Sequence, residues 1–365
     1  SVASRGLGDV YKRQGLFSIM YQTHGTLNWT ANGNVIISDD FTGIQGGATP
    51  ANSPCTVQIN GNFTVDNTSL FDFNRGLVAT TSPVSITVTG ATTVSTSGWF
   101  RCMDDGNGDL NFTSNSIAFS NSGNVSNFKF SVSGTAITGD ATVNCTNDFT
   151  ISTGADVYIL GDNSCFSGPS AISCTQGGGS TQKAVLNITN GSLTSDIDPS
   201  NNLYLLKVRG SGLGGYSVAS INSINWNGGK LFFHDANHNA SQTTSISIVT
   251  DLIANFSNAT DAIIGINNIN DLTANTINFN LSIGGNMSIS GDPSAYFVSS
   301  PATGSETIVI TGGISVNGPR VWFVGSPTAG NDHDINAIVG ADIQVTSGTL
   351  IHSSSNGTVN WEVSG

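Results

Sequence analysis

The chain has 365 residues, of which 38% are hydrophobic and 10% charged, and its formal net charge is -13. A charge of this sign repels nucleic-acid phosphates, and no stretch holds the roughly 18 apolar residues that a membrane span needs. The hydrophobic content is also too high, and the charge density too low, for a disordered chain. We therefore expect a folded, soluble protein that binds no nucleic acid and does not insert into a membrane.

Nearly all of the acidic side chains are short. Of the 24 acidic residues only Glu306 and Glu362 are glutamates, and the chain has 44 glycines. Glu and Lys favour helices, whereas Asp, Asn and Gly favour turns. The composition therefore predicts an all-β fold with many tight corners.

The first fourteen residues, SVASRGLGDVYKRQ, differ from the rest of the chain. They hold three of the eleven basic residues and resemble a scar from sequencing adapters. We interpret residues 1–14 as a non-native leader and exclude them from fold reasoning. We expect residues 15–56 to form an N-terminal capping region, and the whole sequence to be a fragment of a longer polypeptide.

A repeat begins at residue 57. The segments 57–73 and 86–102 share an alternating apolar strand, a glycine corner, a second strand and an aromatic patch. Three pairs of corresponding residues are separated by one and the same interval: Gly61 and Gly90, Val65 and Val94, and Phe71 and Phe100.

An acidic loop follows the second repeat. Asp105, Asn107 and Asp109 alternate as do the first three ligands of a calcium loop, in which oxygen atoms wrap a hard cation. The closing glutamate of such loops is missing, and a second cluster, Asp332, Asp334 and Asn336, lacks it too. Both clusters therefore have an alternative interpretation as solvated turns. Calcium is the only cofactor that the sequence suggests.

Residues 161–183 lack strand alternation, and we expect them to form a loop extruded from one coil. Cys165 and Cys174 flank this loop and are the candidate disulfide, because a bridge would limit the entropy of the loop. The alternative is that the five cysteines are small buried hydrophobic residues.

Two other groups of residues have competing interpretations. His234 and His238 have the spacing of a metal-binding pair, but no third ligand accompanies them, so a polar loop is the favoured interpretation. Three tryptophans that each follow Asn suggest one repeated position, either buried in the core or exposed to stack on sugars: Trp29, Trp226 and Trp361.

The repeat returns over residues 280–352 at nearly the same spacing. Gly285, Gly312 and Gly340 mark the first corner at almost equal intervals. Ile289, Val316 and Val345 mark the second strand at similar intervals.

A period of about 27 residues with short strands is typical of one coil of a solenoid. We therefore predict a right-handed parallel β-helix (β-solenoid) over residues 57–365, with valines such as Val65 and Val94 pointing inward. The alternative, a row of immunoglobulin-like sandwiches, would repeat at about 100 residues. Thr87-Val88-Thr89 resembles the threonine ladders of ice-binding solenoids, but it does not recur at the coil period. The sequence thus does not predict a flat ice-binding face.

The segments GNFTVDNTSLFDF, SITVTGATTVSTSG and GGNMSISGDPSAYF are similar to repeats of secreted bacterial surface proteins. These are the filamentous-haemagglutinin-like and Bacteroidetes-type β-helix adhesins. The resemblance covers most of residues 57–365 and implies an extracellular stalk or adhesive fibre. It implies no catalytic residues.

We therefore expect a non-enzymatic structural or adhesive segment at the cell surface. Its expected partners are glycans or other cell-surface molecules, or another copy of the chain bound end to end. The alternative is a carbohydrate-active β-helix, either a polysaccharide lyase or hydrolase or a glycan-binding module. No nucleophile or phosphate-loop motif supports an enzyme, although hydrolysis would need only two suitably placed carboxylates.

Overall fold

The computed structural model describes residues 17–18, 26–38, 44–45, 54–69, 71–72, 75–80, 83–97, 100–106, 108–121, 127–132, 139–161, 183–209, 215–237, 242–256, 263–267, 276–291, 294–299, 303–325, 333–351 and 357–365. Within these ranges the chain forms thirty strands and no helix. All pairings between these strands are parallel.

Each coil of the chain passes through three faces in turn, which we call the first, second and third face. The strands of the first face are Leu27–Ala31, Cys55–Ile59, Ala141–Cys145, Gln242–Ile248, Thr276–Ile283, Thr303–Ile310, His333–Val339 and Val359–Val363. The strands of the second face are Val35–Ile37, Phe63–Asn67, Phe149–Ser152, Leu252–Phe256 and Met287–Gly291. The strands of the third face are Phe71–Asp72, Arg75–Thr80, Phe100–Gly106, Asn127–Val132, Asp156–Gly161, Asn202–Arg209, Lys230–Asn237, Ile263–Asn267 and Ser294–Ser299.

Six longer strands cross from one face to the next. Four run from the first face to the second, namely Val84–Thr96, Leu110–Asn121, Lys183–Ser195 and Gly215–Trp226. Two run from the second face to the third, namely Ile314–Gly325 and Ile343–Ile351. The two remaining strands, Phe17–Ser18 and Ile44–Gln45, pair with each other in a separate sheet.

Residues far apart in sequence become neighbours in this stack. On the first face one inward column runs through Trp29, Val57, Ile86, Phe112, Val143, Leu186, Ala219, Ile246, Leu281, Ile308, Ala337 and Trp361. The shortest step along the chain joins Ala337 to Trp361, and the longest joins Val143 to Leu186. The longest step contains residues 162–182, which lie outside the described residues.

The predicted all-β parallel β-solenoid is confirmed. Val65 pairs with Val94, and Ile289 with Val316, as the repeat predicted, and all four side chains are fully buried. The sandwich alternative is wrong, because immunoglobulin-like sheets are antiparallel.

One predicted alignment is wrong by a single residue. Gly312 lies on Gly285, since the amide of Gly312 donates to the Gly285 carbonyl. Gly340, however, lies over Thr311: a Cβ on Gly340 would come 2.1 Å from the Thr311 carbonyl oxygen. The corner consists of two residue positions. Gly285 and Gly312 occupy the second position, whereas Gly340 occupies the first.

The core is one continuous apolar cluster within the stack. Phe100 lies at its aromatic centre, fully buried, with five ring centroids 5.2–6.4 Å away, those of Phe63, Phe71, Phe112, Phe119 and Phe130. Three of these contacts, with Phe112, Phe119 and Phe130, are edge-to-face, and such packing adds to the stabilisation from burying apolar area. Each coil therefore depends on its neighbours for most of its buried surface.

Short polar side chains connect the coils at their corners. Oδ1 of Asn34 accepts a hydrogen bond from the Asn62 amide, and Oδ1 of Asn62 accepts one from the Ala91 amide, at 2.8 and 2.9 Å. Asp251 and Asn286 repeat this contact further along. A side chain of this length spans the rung spacing of about 4.8 Å with few rotatable bonds. This geometry favours Asp over the longer Glu at these corners.

Candidate functional site

Positive charge is concentrated on the third face. Of the eight basic residues after residue 14, only Lys183 lies elsewhere, on the first face. The other seven belong to strand segments of the third face, namely Arg75, Arg101, Lys129, Lys207, Arg209, Lys230 and Arg320.

An aromatic column lies on the outer side of this face. Tyr158, Tyr204 and Phe232 are in register on three successive coils and form an apolar cluster separate from the core. The two tyrosine rings stack with centroids 4.9 Å apart and planes within 5°, and the rings of Tyr204 and Phe232 are 5.4 Å apart. We call these three residues the aromatic ladder.

Charged groups flank the aromatic ladder. Nζ of Lys207 lies 3.6 Å from the centroid of the Tyr204 ring, a cation–π contact. The hydroxyl of Tyr158 lies 3.2 Å from Oδ2 of Asp156 and donates to it. Burial raises the pKa of Asp156 above its usual value, and the nearby positive charges of Lys207 and Lys230 act in the opposite direction.

The aromatic ladder has suitable groups for a sugar, but it is closed. Stacked rings and an ammonium group are the features with which proteins bind sugar faces and anionic substituents. The three rings are, however, between 0 and 7% exposed, and Lys207 is 4% exposed. In this structure the aromatic ladder therefore acts as a second, outer apolar cluster.

The first face is open and has a different chemistry. Two columns of outward positions run along the whole stack, and none of their side chains is buried. The first column runs through Asn28, Thr56, Ser85, Asn111, Thr142, Val185, Val218, Ser245, Asn280, Thr307, Asn336 and Asn360. The second runs through Thr30, Gln58, Thr87, Thr113, Asn144, Asn187, Ser220, Ser247, Ser282, Val309, Ile338 and Glu362.

These columns are almost free of charge. Glu362 is the single charged residue in them, none is aromatic, and the others are Thr, Ser, Asn, Gln, Val or Ile. Four successive rungs, from Thr56 and Gln58 to Thr142 and Asn144, carry only hydroxyl and amide side chains. We call these eight side chains the first-face array.

The structure describes only part of the predicted calcium loop. Asp109 lies at a corner, where its Oδ1 accepts a hydrogen bond from the Asp140 amide at 2.9 Å. Asp105 lies in the strand Phe100–Gly106, and Asn107 falls outside the described residues. Oδ1 of Asp334, in the second cluster, likewise accepts from the Thr358 amide. Within the described part of the chain, no three His, Cys, Asp or Glu side chains are grouped as metal ligands. Calcium binding stays a prediction.

His234 faces the core. It is 1% exposed, and its Nδ1 lies 3.4 Å from the Ser217 hydroxyl. Burial lowers its pKa to about 3, so the imidazole is neutral. His238, the other member of the predicted pair, lies outside the described residues.

The candidate disulfide, Cys165 and Cys174, also lies outside the described residues. Cys145 is buried as a thiol, and burial raises its pKa to about 12, as it does for Cys55. These two thiols are thus protonated and poorly nucleophilic at neutral pH.

The three tryptophans do not share one position. Trp29 and Trp361 are half-buried in the inward column of the first face, whereas Trp226 lies on the second face. Trp226 is fully buried, and its Nε1 donates to the Gly229 carbonyl at 3.3 Å.

Glu306 is a buried acidic residue that was not among the candidates predicted from the sequence. It is 1% exposed, and neither of its carboxyl oxygens has a hydrogen-bond partner among the described residues. Its neighbours in the inward column are Phe279 and Ile335. Burial raises the pKa of Glu306 well above its usual value. One signal was present in the sequence, because Glu is rare here and Glu306 lies at an inward position of an alternating strand.

The fold places the chain in the class of parallel β-solenoid proteins. None of the protein-family models, curated proteins or solved structures compared with the chain matches it. The described residues include no helix that is long and apolar enough to cross a membrane.

Proposed function

We propose that the chain is a non-enzymatic extracellular segment that serves as a stiff stalk and adheres to other surfaces. The observation that carries the proposal is the parallel stack of coils with two open, nearly uncharged columns of side chains on its first face. A stack of twelve rungs at about 4.8 Å gives a rod roughly 55 Å long.

Stiffness in this proposal comes from repeated contacts between coils. Each coil buries its apolar side chains against its neighbours, and the corner side chains add a hydrogen bond from one coil to the next. Bending the rod would strain many such contacts at once.

In this proposal exposed side chains bind the partners, which are glycans or other cell-surface molecules. End-to-end association with a second copy is a further mode.

Solution scattering of the purified chain tests the stalk. The proposal predicts an elongated particle with a cross-section independent of concentration, together with binding of chain-coated beads to cells or glycan surfaces. A compact particle contradicts the stalk, and coated beads that bind no better than uncoated beads contradict the adhesive role.

A carbohydrate-active β-helix is the second candidate, and the aromatic ladder is the observation that favours it. Its test is a glycan array combined with a polysaccharide degradation assay on the intact chain. Tyr204→Ala removes the central ring, and Tyr216→Ala, on the first face, is the matched control. Cleavage or binding lost only in Tyr204→Ala supports this candidate, and no binding by the parent chain contradicts it.

A further inference from the structure

The first-face array is a regular lattice of hydrogen-bonding groups. One of its columns contains Thr56, Ser85, Asn111 and Thr142, and the other contains Gln58, Thr87, Thr113 and Asn144. Rungs are about 4.8 Å apart, and the two columns are about 6.6 Å apart because alternate residues of a strand point the same way. The pairing has no bulge within the array, since the one register shift on these strands falls beyond Ser114.

Hydrogen bonds hold two side chains of the array, Thr113 and Asn144, before any partner binds. Nδ2 of Asn144 donates to Oγ1 of Thr113 at 3.4 Å, and Nδ2 of Asn187 donates to Oδ1 of Asn144 at 2.8 Å. The backbone beneath is a paired sheet over a buried core. A rigid surface of this kind loses little conformational entropy when it binds, so many weak contacts add up.

The rung spacing fits a lattice of water. Two oxygen atoms that share one water at the tetrahedral angle lie about 4.5 Å apart, because each hydrogen bond spans about 2.8 Å. This distance is close to the rung spacing of about 4.8 Å, so waters can bridge successive rungs in the geometry that they have in ice.

The chemistry of the array argues against other rigid partners. It has no charge for an ionic or mineral surface and no aromatic ring for the face of a sugar. Over the same four coils the corresponding outward column of the second face is interrupted by Ala118, and Asp66 adds a charge beside it.

We propose that the first-face array binds the surface of ice. This inference rests on the adhesive function proposed above and names the surface to which the protein adheres. The array is hard to recognise in the sequence. Its outward positions recur from coil to coil, but the residues at these positions vary among Thr, Ser, Asn and Gln. In the strand Val84–Thr96 the array contains Ser85 and Thr87, whereas the exposed Thr89 lies beyond the pairing with the strand Cys55–Ile59.

The test is the fraction of the purified chain that a slowly growing ice hemisphere incorporates. Thr87→Tyr places a bulky ring in the centre of the array. Thr93→Tyr is the matched control, because Thr93 is an exposed threonine of the same strand that faces outward on the second face. Ser85→Tyr is a second array variant, and melting temperature and circular dichroism check that each variant is folded.

The expected result is incorporation of the parent chain and of Thr93→Tyr, and loss of incorporation for Thr87→Tyr and Ser85→Tyr. Exclusion of the parent chain from ice overturns the proposal, as does an equal loss in Thr93→Tyr. Binding of the parent to crystalline cellulose or chitin instead, lost in Thr87→Tyr, assigns the array to polysaccharide and overturns ice. If the chain is elongated but is excluded from ice, only the proposal of ice binding is wrong. If the particle is compact, the proposed stalk is wrong.

Discussion

The hydroxyl of Ser217 lies 3.4 Å from Nδ1 of His234 inside the solenoid, with both side chains almost fully buried. The first face and the third face thus meet through a polar contact in an apolar core. This contact holds a titratable group that cannot gain a proton without loss of stability.

The first prediction concerns acid stability. Burial lowers the pKa of His234 from 6.5 to about 3, so the unfolded chain binds a proton below pH 6.5 that the folded chain does not. The free energy of unfolding should fall as the pH drops from 6.5 towards 3, by about 1.4 kcal/mol per pH unit from this group. Urea denaturation at pH 7 and pH 4.5 should show a smaller loss for His234→Gln than for the parent chain. Equal losses in the two proteins would contradict the prediction.

The second prediction concerns Glu306, for which the pH dependence of stability is opposite to that of His234. Its pKa is raised above 4.5 in the folded chain, so the unfolded chain loses a proton first as the pH rises. The free energy of unfolding should therefore fall as the pH rises above 4.5. At pH 7 Glu306→Met should be more stable than the parent by about 1–4 kcal/mol, because a buried carboxyl group is replaced by an apolar side chain of similar volume.

Two further variants separate charge from packing at this position. Glu306→Gln should remove the pH dependence without the full gain in stability. Glu362→Gln, at the exposed second glutamate, should change the free energy of unfolding by less than about 0.5 kcal/mol. A pH dependence in Glu306→Gln equal to that of the parent would rule out this assignment.

The third prediction tests the corner contacts. Asn62→Ala leaves the Ala91 amide without its side-chain acceptor and should lower the free energy of unfolding by about 1 kcal/mol. Asn62→Asp keeps an acceptor of the same length, as Asp251 does at the equivalent contact, and should be close to neutral. Chemical denaturation measures both, and similar costs for the two variants would mean that the contact with the amide is unimportant.

The fourth prediction concerns the aromatic ladder. Lys207→Met keeps the aliphatic stem but removes the ammonium group above Tyr204, which should cost about 1–2 kcal/mol. Lys183→Met removes an exposed ammonium group from the first face and should change stability by less than about 0.5 kcal/mol. Thermal unfolding compares the two, and an equal shift in both would show that the cation–π contact contributes nothing.

Much of the fold could be predicted from the sequence, because glycine corners and alternating strands repeat at the coil period. Val65 over Val94 is an example, since both the inward alternation and the regular spacing are visible in the chain. Gly340 was misaligned because either position of a two-residue corner accepts glycine. The local pattern alone does not say which position is occupied.

The surfaces were harder to predict than the core. Tyr158, Tyr204 and Phe232 are unevenly spaced along the chain, so no fixed period connects them. The spacing of Asp105 and Asp109 was readable as a calcium loop, but an Asp in this fold also serves as a corner acceptor, as Asp109 does. The outward positions of the first-face array accept several polar residue types. Because these types vary from coil to coil, the register of the array is not visible in the sequence.

Five of the corner contacts share a direction. Asn34, Asn62, Asp109, Asp251 and Asn286 each offer an oxygen to the coil that follows, not to the coil that precedes. A nascent chain that leaves the ribosome from its N-terminus would meet acceptors already presented by the turn made before it. Assembly can thus proceed vectorially at these corners, with each finished layer acting as the template for the next.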